Sequence, residues 1–421
     1  MFEHPGIYDT IHMSITLRNS RQFRFLTVCT LAAVFSACAG VTEPRPKDRE
    51  ATSLAPRALM WLEHFDRQLD RAAPACADRS NDDGSLSWGG SYLLLALLEA
   101  WSATREVRYL DRFILEADKI TAWSDRSRGV EDWLGRSTDG WSSTRYSSGN
   151  LRAKWIVLDA VVAEPLAAFA VESRANPKLP NRIASAGQAY LDLVKSVVSG
   201  WNSTWIDIGE EGAYLMEANF PSSVSDTIAS HLPLNQIAAA GLVHWELWRA
   251  TGDRSHLDRA LRIGRRVRSH LVPRENGWTW TYWGRESWER FNTSPEDISH
   301  AALSVRLLAK LGGEGHVLSN SDRRRLAQTL ISIKDPAGGF YRDVNGTSRD
   351  FVTLDPKCGA MYPRTYSDAA PHWSVLQDSL LTIELASFID ARLDATGWQD
   401  PVRLLGLAAV ARAWPRISAA P

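Results

Sequence analysis

The chain has 421 residues, and its 48 Lys and Arg almost cancel its 49 Asp and Glu, for a net charge of −1. That balance provides no field to draw in nucleic acid or an anionic membrane face, so neither is expected as a partner. Eighteen tryptophans and ten tyrosines are the strongest compositional signal. Indole is costly core filler because its N–H needs a partner, so several rings are expected to line a surface that holds something flat and polar.

In chain order, the first element is a processing signal. Arg18, Arg21 and Arg24 precede the apolar run Phe25–Ala37, which is shorter than the roughly 20 residues a membrane span needs but suits a secretory core. The run ends at FSAC, which resembles the lipobox of bacterial lipoproteins. That resemblance implies lipidation of Cys38, with Phe35 standing where the box usually has an aliphatic residue; an ordinary cleaved signal is the alternative. Met13 is an alternative start. Residues 1–38 are therefore expected to be the signal and 39–53 a polar tether. Residues 54–421 would form one domain, exported and lipid-anchored to the bacterial cell envelope, in the periplasm or at the outer membrane. Cys76 and Cys358 could pair in that compartment.

The segment PRALMWLEHFDRQLDRAA begins the fold as a helix. Next comes an internal echo: EAWSATREVRYLDR (Glu99–Arg112) and ELWRATGDRSHLDR (Glu246–Arg259) share Glu, Trp, Ala, Thr, Leu, Asp and Arg at matching places. Each reads as the end of one apolar helix, a short turn and an amphipathic second helix, a repeated unit of a stacked or closed array. Further hairpins fall at 155–174 with 182–198, at 296–311 with 321–334, and at 372–392 with 401–413, giving about eleven or twelve helices. Connections within hairpins are short. Those between hairpins, 125–153, 199–231, 272–295 and 335–371, are long, as functional loops often are. In a ring of hairpins they all enter inner helices at one end and gather on one face.

This pattern resembles the (α/α)6 toroids of the six-hairpin glycosidase-like superfamily, which includes glycoside hydrolases, polysaccharide lyases and sugar epimerases. The resemblance implies an all-α fold of about six hairpins closed into a barrel. Within 234–308, LNQIAAAGL (Leu234–Leu242), TGD (Thr251–Asp253), GWTWTYW (Gly277–Trp283) and DISH (Asp297–His300) are similar in order and spacing to the C-terminal domain of glucuronyl C5-epimerases. Of that family's functional positions, only Tyr282 and His300 are matched.

Sugars offer one C–H face for aromatic stacking and a rim of hydroxyls for Asp, Asn, Arg and His. Trp133, Trp278, Trp280, Trp283, Tyr366, Trp373, Asn235 and Arg364 are the expected binding residues, and a polysaccharide or oligosaccharide is the expected partner. GWTWTYW also reads as a strand whose rings plug the barrel end. Ser294 and Pro295 suit the start of a helix, with Glu296 capping or facing solvent. His300 lies on the same face as Asp297, three residues on. His231 with Asn235, and Asp368 with His372, repeat an i,i+4 pairing at two other inner-helix starts. His300, His231, Tyr282, Asp297, Asp368 and His372 are thus the candidate catalytic residues.

Two chemistries fit. In one, His300 or His231 removes the C5 proton of a uronic acid, Tyr282 or Tyr366 donates a proton, and Asn235 or Arg364 clamps the carboxylate, giving elimination or epimerisation. In the other, two carboxylates drawn from Asp132, Glu210, Glu217, Asp297, Asp343 and Asp368 hydrolyse a glycosidic bond. A lipid-anchored glycan-binding protein without catalysis is a third reading. Convergence of His231, His300 and His372 on a divalent ion is conceivable, but metal spacing is absent and no metal or cofactor is expected.

Overall fold

Residues 55–76, 81–217, 232–283, 294–312, 316–357 and 360–418 are described by a computed structural model. The signal, tether, Cys38, His231 and Cys358 lie outside them. All described residues fall in one unit, Ala51–Pro421.

The helices are α1 (Pro56–Cys76), α2 (Ser85–Thr104), α3 (Val107–Ala122), the single turn α4 (Asp125–Arg128), α5 (Ile156–Ala175), α6 (Asn181–Ser199), α7 (Leu234–Thr251), α8 (Arg254–Ser269), α9 (Ile298–Gly312) and α10 (Asn320–Ser332). A 3-10 helix (Tyr366–Leu376), α11 (Ser379–Asp390) and α12 (Pro401–Ser418) complete the chain. Two patterns alternate. In α2, α5, α7 and α9 nearly every residue is buried, as expected of a helix covered on all sides. In α3 only one stripe is buried (Tyr109, Leu110, Phe113, Ala117, Ile120), and in α8 likewise (Leu257, Ala260, Ile263, Val267).

The buried elements close a ring. Helix α2 packs on α5, α5 on α7, α7 on α9, α9 on the 3-10 helix, that on α12, and α12 back on α2. Outside it, α1 lies on α12, α3 on α2, α6 on α5 and α8 on α7, while α10 and α11 flank the 3-10 helix. The result is the expected (α/α)6 toroid: six inner staves that run parallel, each preceded by an outer helix. Their N-terminal ends share one rim.

The echoed segments are the same structure twice. Arg105 and Gly252 both adopt left-handed φ, 63° and 76°, and both donate their amide to a tryptophan carbonyl, Trp101 O and Trp248 O, at 2.7 Å. Thr104 and Thr251 then each accept from the amide two residues on, at 3.1 Å. A helix ended this way has its last carbonyls satisfied and its successor aimed antiparallel.

The structure departs from expectation near the C-terminus. Residues 372–392 are two elements, broken at Gln377 (φ 53°) and restarted by the Asp378 carboxylate, which accepts from the Leu381 amide. The inner stave starts earlier, at Tyr366, where a reciprocal Thr365–Asp368 capping box fixes its first turn. Pro371 therefore lies inside the stave instead of opening it. The long connections are also less irregular than their sequences suggest. They carry three antiparallel hairpins: β1 (Trp205–Ile208) with β2 (Glu211–Tyr214), β3 (Val272–Arg274) with β4 (Gly277–Thr279), and β5 (Thr353–Lys357) with β6 (Ala360–Arg364).

Gly277 shows how tightly β4 is laid on α10. Its φ is 128°, and a Cβ there would stand 2.4 Å from Thr329 Oγ1 and 2.7 Å from Thr329 Cα. Gly277→Ala is expected to destabilise the fold by roughly 1–3 kcal/mol, the usual cost of overpacking, read as a lowered urea midpoint at unchanged slope.

Candidate functional site

Asp297 answers whether the acidic pair before α9 is a cap or part of a site. Its Oδ1 accepts from the amides of Ser299 and His300, each at 3.0 Å, and from Ser299 Oγ at 2.6 Å. Its Oδ2 accepts from His300 Nδ1 at 2.5 Å. One carboxylate thus caps the helix and orients an imidazole. Burial pushes the Asp297 carboxyl up, but the facing His300 and the four hydrogen bonds outweigh it and hold the group well below the usual carboxylate range. With Nδ1–H committed to Asp297, the neutral imidazole carries its lone pair on Nε2. That nitrogen has no hydrogen-bond partner among the described residues, and the side chain is 36% exposed.

The expected Ser294 cap and Pro295 first turn are not what forms. Residues 294–297 run extended, bridging Thr281 through Pro295 and Asp343 through Asp297. Glu296 donates its amide to Trp280 O and accepts from Val344 N. Held on both sides by backbone, Glu296 is fully buried, neither a surface residue nor a cap. Its Oε2 accepts from the Trp280 indole, and Oε1 has no partner among the described residues. Burial, with Asp297 adjacent, raises its pKa well above the ordinary value despite the indole bond. Glu296 is therefore a neutral acid beside an ionised Asp297.

Tyr282 is placed by backbone bonds to two elements: its amide donates to Ser294 O, and its carbonyl accepts from Leu234 N at the start of α7. Its ring meets His300 edge-on at 5.4 Å. Burial foremost, then Glu296 and Asp297, raise its hydroxyl pKa, while the Gln236 amide works the other way. The phenol stays protonated across the physiological range.

From Tyr282 and His300 a file of rings crosses the lumen. Trp283 meets Tyr282 at 5.5 Å, His300 meets Trp88 at 6.4 Å, Trp88 meets Tyr92 at 6.1 Å, and Tyr92 meets His372 at 5.6 Å. These separations are those of favourable aromatic pairs. Because α2 and α9 are opposite staves, the contact between Trp88 and His300 means the barrel is filled at this level. His300, in the first turn of α9, is partly exposed above that floor.

The other expected residues divide. His372 meets Tyr92 at the end of the ring file, and its Nε2 donates to Val402 O of α12 at 2.8 Å. Asp368 does not: its carboxylate accepts from the Thr365 amide and from Arg403. The i,i+4 pairing assumed for these two holds on an α-helix. On a 3-10 helix, with about three residues per turn, i+4 lies a third of a turn away. Trp278 is buried between Arg268 and Arg325, at 4.3 and 5.1 Å from its ring, and Trp280 stacks 6.3 Å from Trp373. At 4%, 2% and 0% exposure, Trp278, Trp280 and Trp373 present no face to a glycan; Trp278 is packed between the outer helices α8 and α10, and Trp280 against Trp373 of the 3-10 stave. Asn235 is buried at the start of α7, its Oδ1 without a partner among the described residues. Trp133 is half-buried in the 125–153 loop, its amide bonded to Arg152 O. Tyr366 lies under the Arg342 guanidinium at 4.3 Å. Arg364 belongs to β6, and its side chain, like His231, is outside what is described. Among the described residues no cluster of three His, Cys, Asp or Glu side chains could hold a metal ion.

The carboxylates offered for a hydrolytic pair are mostly engaged. Arg136 binds both Asp132 and Glu217, and Asp343 accepts from Asn345, Thr347 and Ser348 in its own turn. Sequence reading missed Trp88, Tyr92 and Gln236. Only the helical spacing of Trp88 and Tyr92, four residues apart, could have grouped the first two.

No family model matches the chain, and no curated protein matches it in sequence. Solved structures do. An inactive variant of the GH76A α-1,6-mannanase of Salegentibacter sp. HEL1_6, in complex with α-1,6-mannotriose, superposes with a TM-score of 0.50 at 11% identity, over 85% of this chain and 99% of that one. Cellobiose 2-epimerase from Bacillus thermoamylovorans B4167 gives 0.47 at 12% identity over 86% and 87%. A polysaccharide lyase gives 0.49 at 12% over 86% and 99%. At these identities the likeness is one of fold.

Glu296 supplies a test of this electrostatic arrangement. A carboxyl whose native pKa is raised stabilises the fold below its unfolded pKa of about 4.3, and that contribution is lost as pH rises toward the native value. Glu296→Gln mimics the neutral acid, so its stability relative to wild type is expected to climb above about pH 4.3, by at most about 1.4 kcal/mol per pH unit. Urea titrations across that range check it; a constant difference would mean Glu296 is ionised in the native state.

Proposed function

We propose that the protein is a carbohydrate-active enzyme that abstracts the C5 proton of a uronic-acid residue in a polysaccharide, as a lyase or an epimerase. The observation that carries this reading is the His300–Asp297 pair, with Nε2 open beside a neutral tyrosine. His300 Nε2 takes the proton, and the imidazolium formed is stabilised by the Asp297 carboxylate it already touches. The carbanion at C5 is spread into the uronate carboxyl. If Tyr282 then protonates the leaving oxygen at C4, the C4–O bond breaks and a C4–C5 double bond forms. If Tyr282 returns a proton to the opposite face of C5, the product is the epimer. The amides of Asn235 and Gln236, at the positive end of α7, are the groups proposed to receive the uronate carboxylate.

The mannanase likeness raises hydrolysis as the second reading. It is favoured by the unlike ionisation of Glu296 and Asp297, but Glu296 is sealed behind Trp280 and Asp297 is saturated with donors. The proton-abstraction reading starts from His300, whose side chain is 36% exposed. From the N-terminal sequence alone we further infer export and attachment to the cell envelope through Cys38, with residues 54–421 as one catalytic domain.

A panel of uronate-containing and neutral polysaccharides tests the proposal. Ultraviolet absorbance of an unsaturated uronate marks a lyase, and deuterium uptake from D₂O without cleavage marks an epimerase. New reducing ends without unsaturation, or binding with no chemistry, would overturn it. On the responsive substrate, His300→Ala and Tyr282→Phe should each lower kcat about 10²–10⁴-fold, the usual weight of one acid or base, with KM nearly unchanged.

A further inference from the structure

A cavity of about 280 Å³ opens between the 3-10 helix, α11 and α12, and neither His300 nor Tyr282 lines it. Asp368, expected in the catalytic set, lines this cavity instead. The walls are apolar where Phe340, Phe388, Ile389 and Leu407 meet. The polar lining is more informative. Asp350 accepts from the amides of Phe351, Tyr366 and Ser367 and from Ser367 Oγ, and Asp368 from Thr365 and Arg403. Both carboxylates are engaged, Asp350 through both oxygens and Asp368 through Oδ2.

Arg392 is not. Its guanidinium lies 3.8 Å over the Phe388 ring and gives one N–H to Phe388 O at 3.3 Å. Among the described residues no carboxylate comes within ion-pair distance of it. Burial lowers its pKa, which the more distant Asp368 and Asp350 only partly offset. A half-buried cation without a partner is costly, and a guanidinium offers a planar fork that matches a carboxylate. The approach is open because residue 339 is glycine: a Cβ there would stand 3.5 Å from Arg392 Nη2 and 4.0 Å from Ser367 Oγ. Asp335, whose Oδ1 accepts from the Ala337 amide, leaves its other oxygen for hydroxyl groups. The volume lies just under the range of about 300–1,000 Å³ typical of ligand pockets, which suits one sugar-sized molecule and excludes a chain.

We propose that this cavity is a second binding site, independent of the chemistry at His300, for a small polyhydroxylated carboxylate, its carboxylate on Arg392, its hydroxyls on Asp335 and its C–H face against the apolar wall.

Titration calorimetry of the full-length protein with D-glucuronate, D-glucose and acetate tests this. Glucuronate should bind, with glucose and acetate at least about tenfold weaker, a difference of about 1.4 kcal/mol. Arg392→Gln should weaken glucuronate at least tenfold. Gly339→Leu, which fills the mouth and keeps the Arg392 side chain, should do the same and guards against a folding defect in the first variant. His300→Ala should leave this binding unchanged. Absence of glucuronate binding, equal binding of acetate, or loss of binding in His300→Ala with retention in Arg392→Gln would each overturn the proposal. None of these outcomes depends on turnover, so they are separable from failure of the proton-abstraction reading.

Discussion

Contact between α12 and α2 is the constraint on which the rest depends. Once the last inner stave rests on the first, six parallel elements must share a rim, and residues from distant segments are brought to it together. Without closure, Trp88 on α2 and His300 on α9 would belong to unconnected hairpins. With it, they stand across a barrel whose interior is filled by aromatic rings. His300, Tyr282 and Asp297 then lie over a floor of rings, at the ends of the loops that enter the staves.

At the start of α9, electrostatics are set by depth. Glu296 and Asp297 are adjacent in sequence, yet backbone pairing turns one inward, where only an indole meets it, and the other toward two amides, a hydroxyl and an imidazole. The first is held neutral and the second ionised. That division gives His300 a fixed tautomer. Farther from the rim, ions meet in pairs: Glu164 with Arg306, Lys310 with Glu164 and Glu246. These join α5, α7 and α9, so the far half of the barrel is tied by charge where the near half is tied by rings.

Much of this was legible in the sequence where short-range rules apply. The echo of Glu99–Arg112 in Glu246–Arg259 identified the hairpin unit because helix-ending turns are determined by a few local residues. His300 and Asp297 were grouped correctly because three residues bring side chains to one helical face. Asp368 and His372 were misgrouped by the same rule, since it assumes an α-helix and their stave is wound more tightly. Trp88 and Tyr92 were not grouped with His300 at all, because their meeting requires the ring to close and no local pattern encodes that. The tryptophans of GWTWTYW were legible as a cluster, but which face of a strand is buried depends on the helix it lies against, here α10 through Thr329.

The tighter winding has one more consequence. A 3-10 helix rises about 2.0 Å per residue against about 1.5 Å in an α-helix, so the eleven residues Tyr366–Leu376 reach about 22 Å. That matches an α-helical stave of some fifteen residues, the length of α9. The stave spans the height of its neighbour α9 with a shorter strip of chain, at the expense of poorer hydrogen-bond geometry along that strip. Its amide protons are accordingly the ones expected to exchange earliest among the inner staves, making this the seam at which the cylinder first loosens.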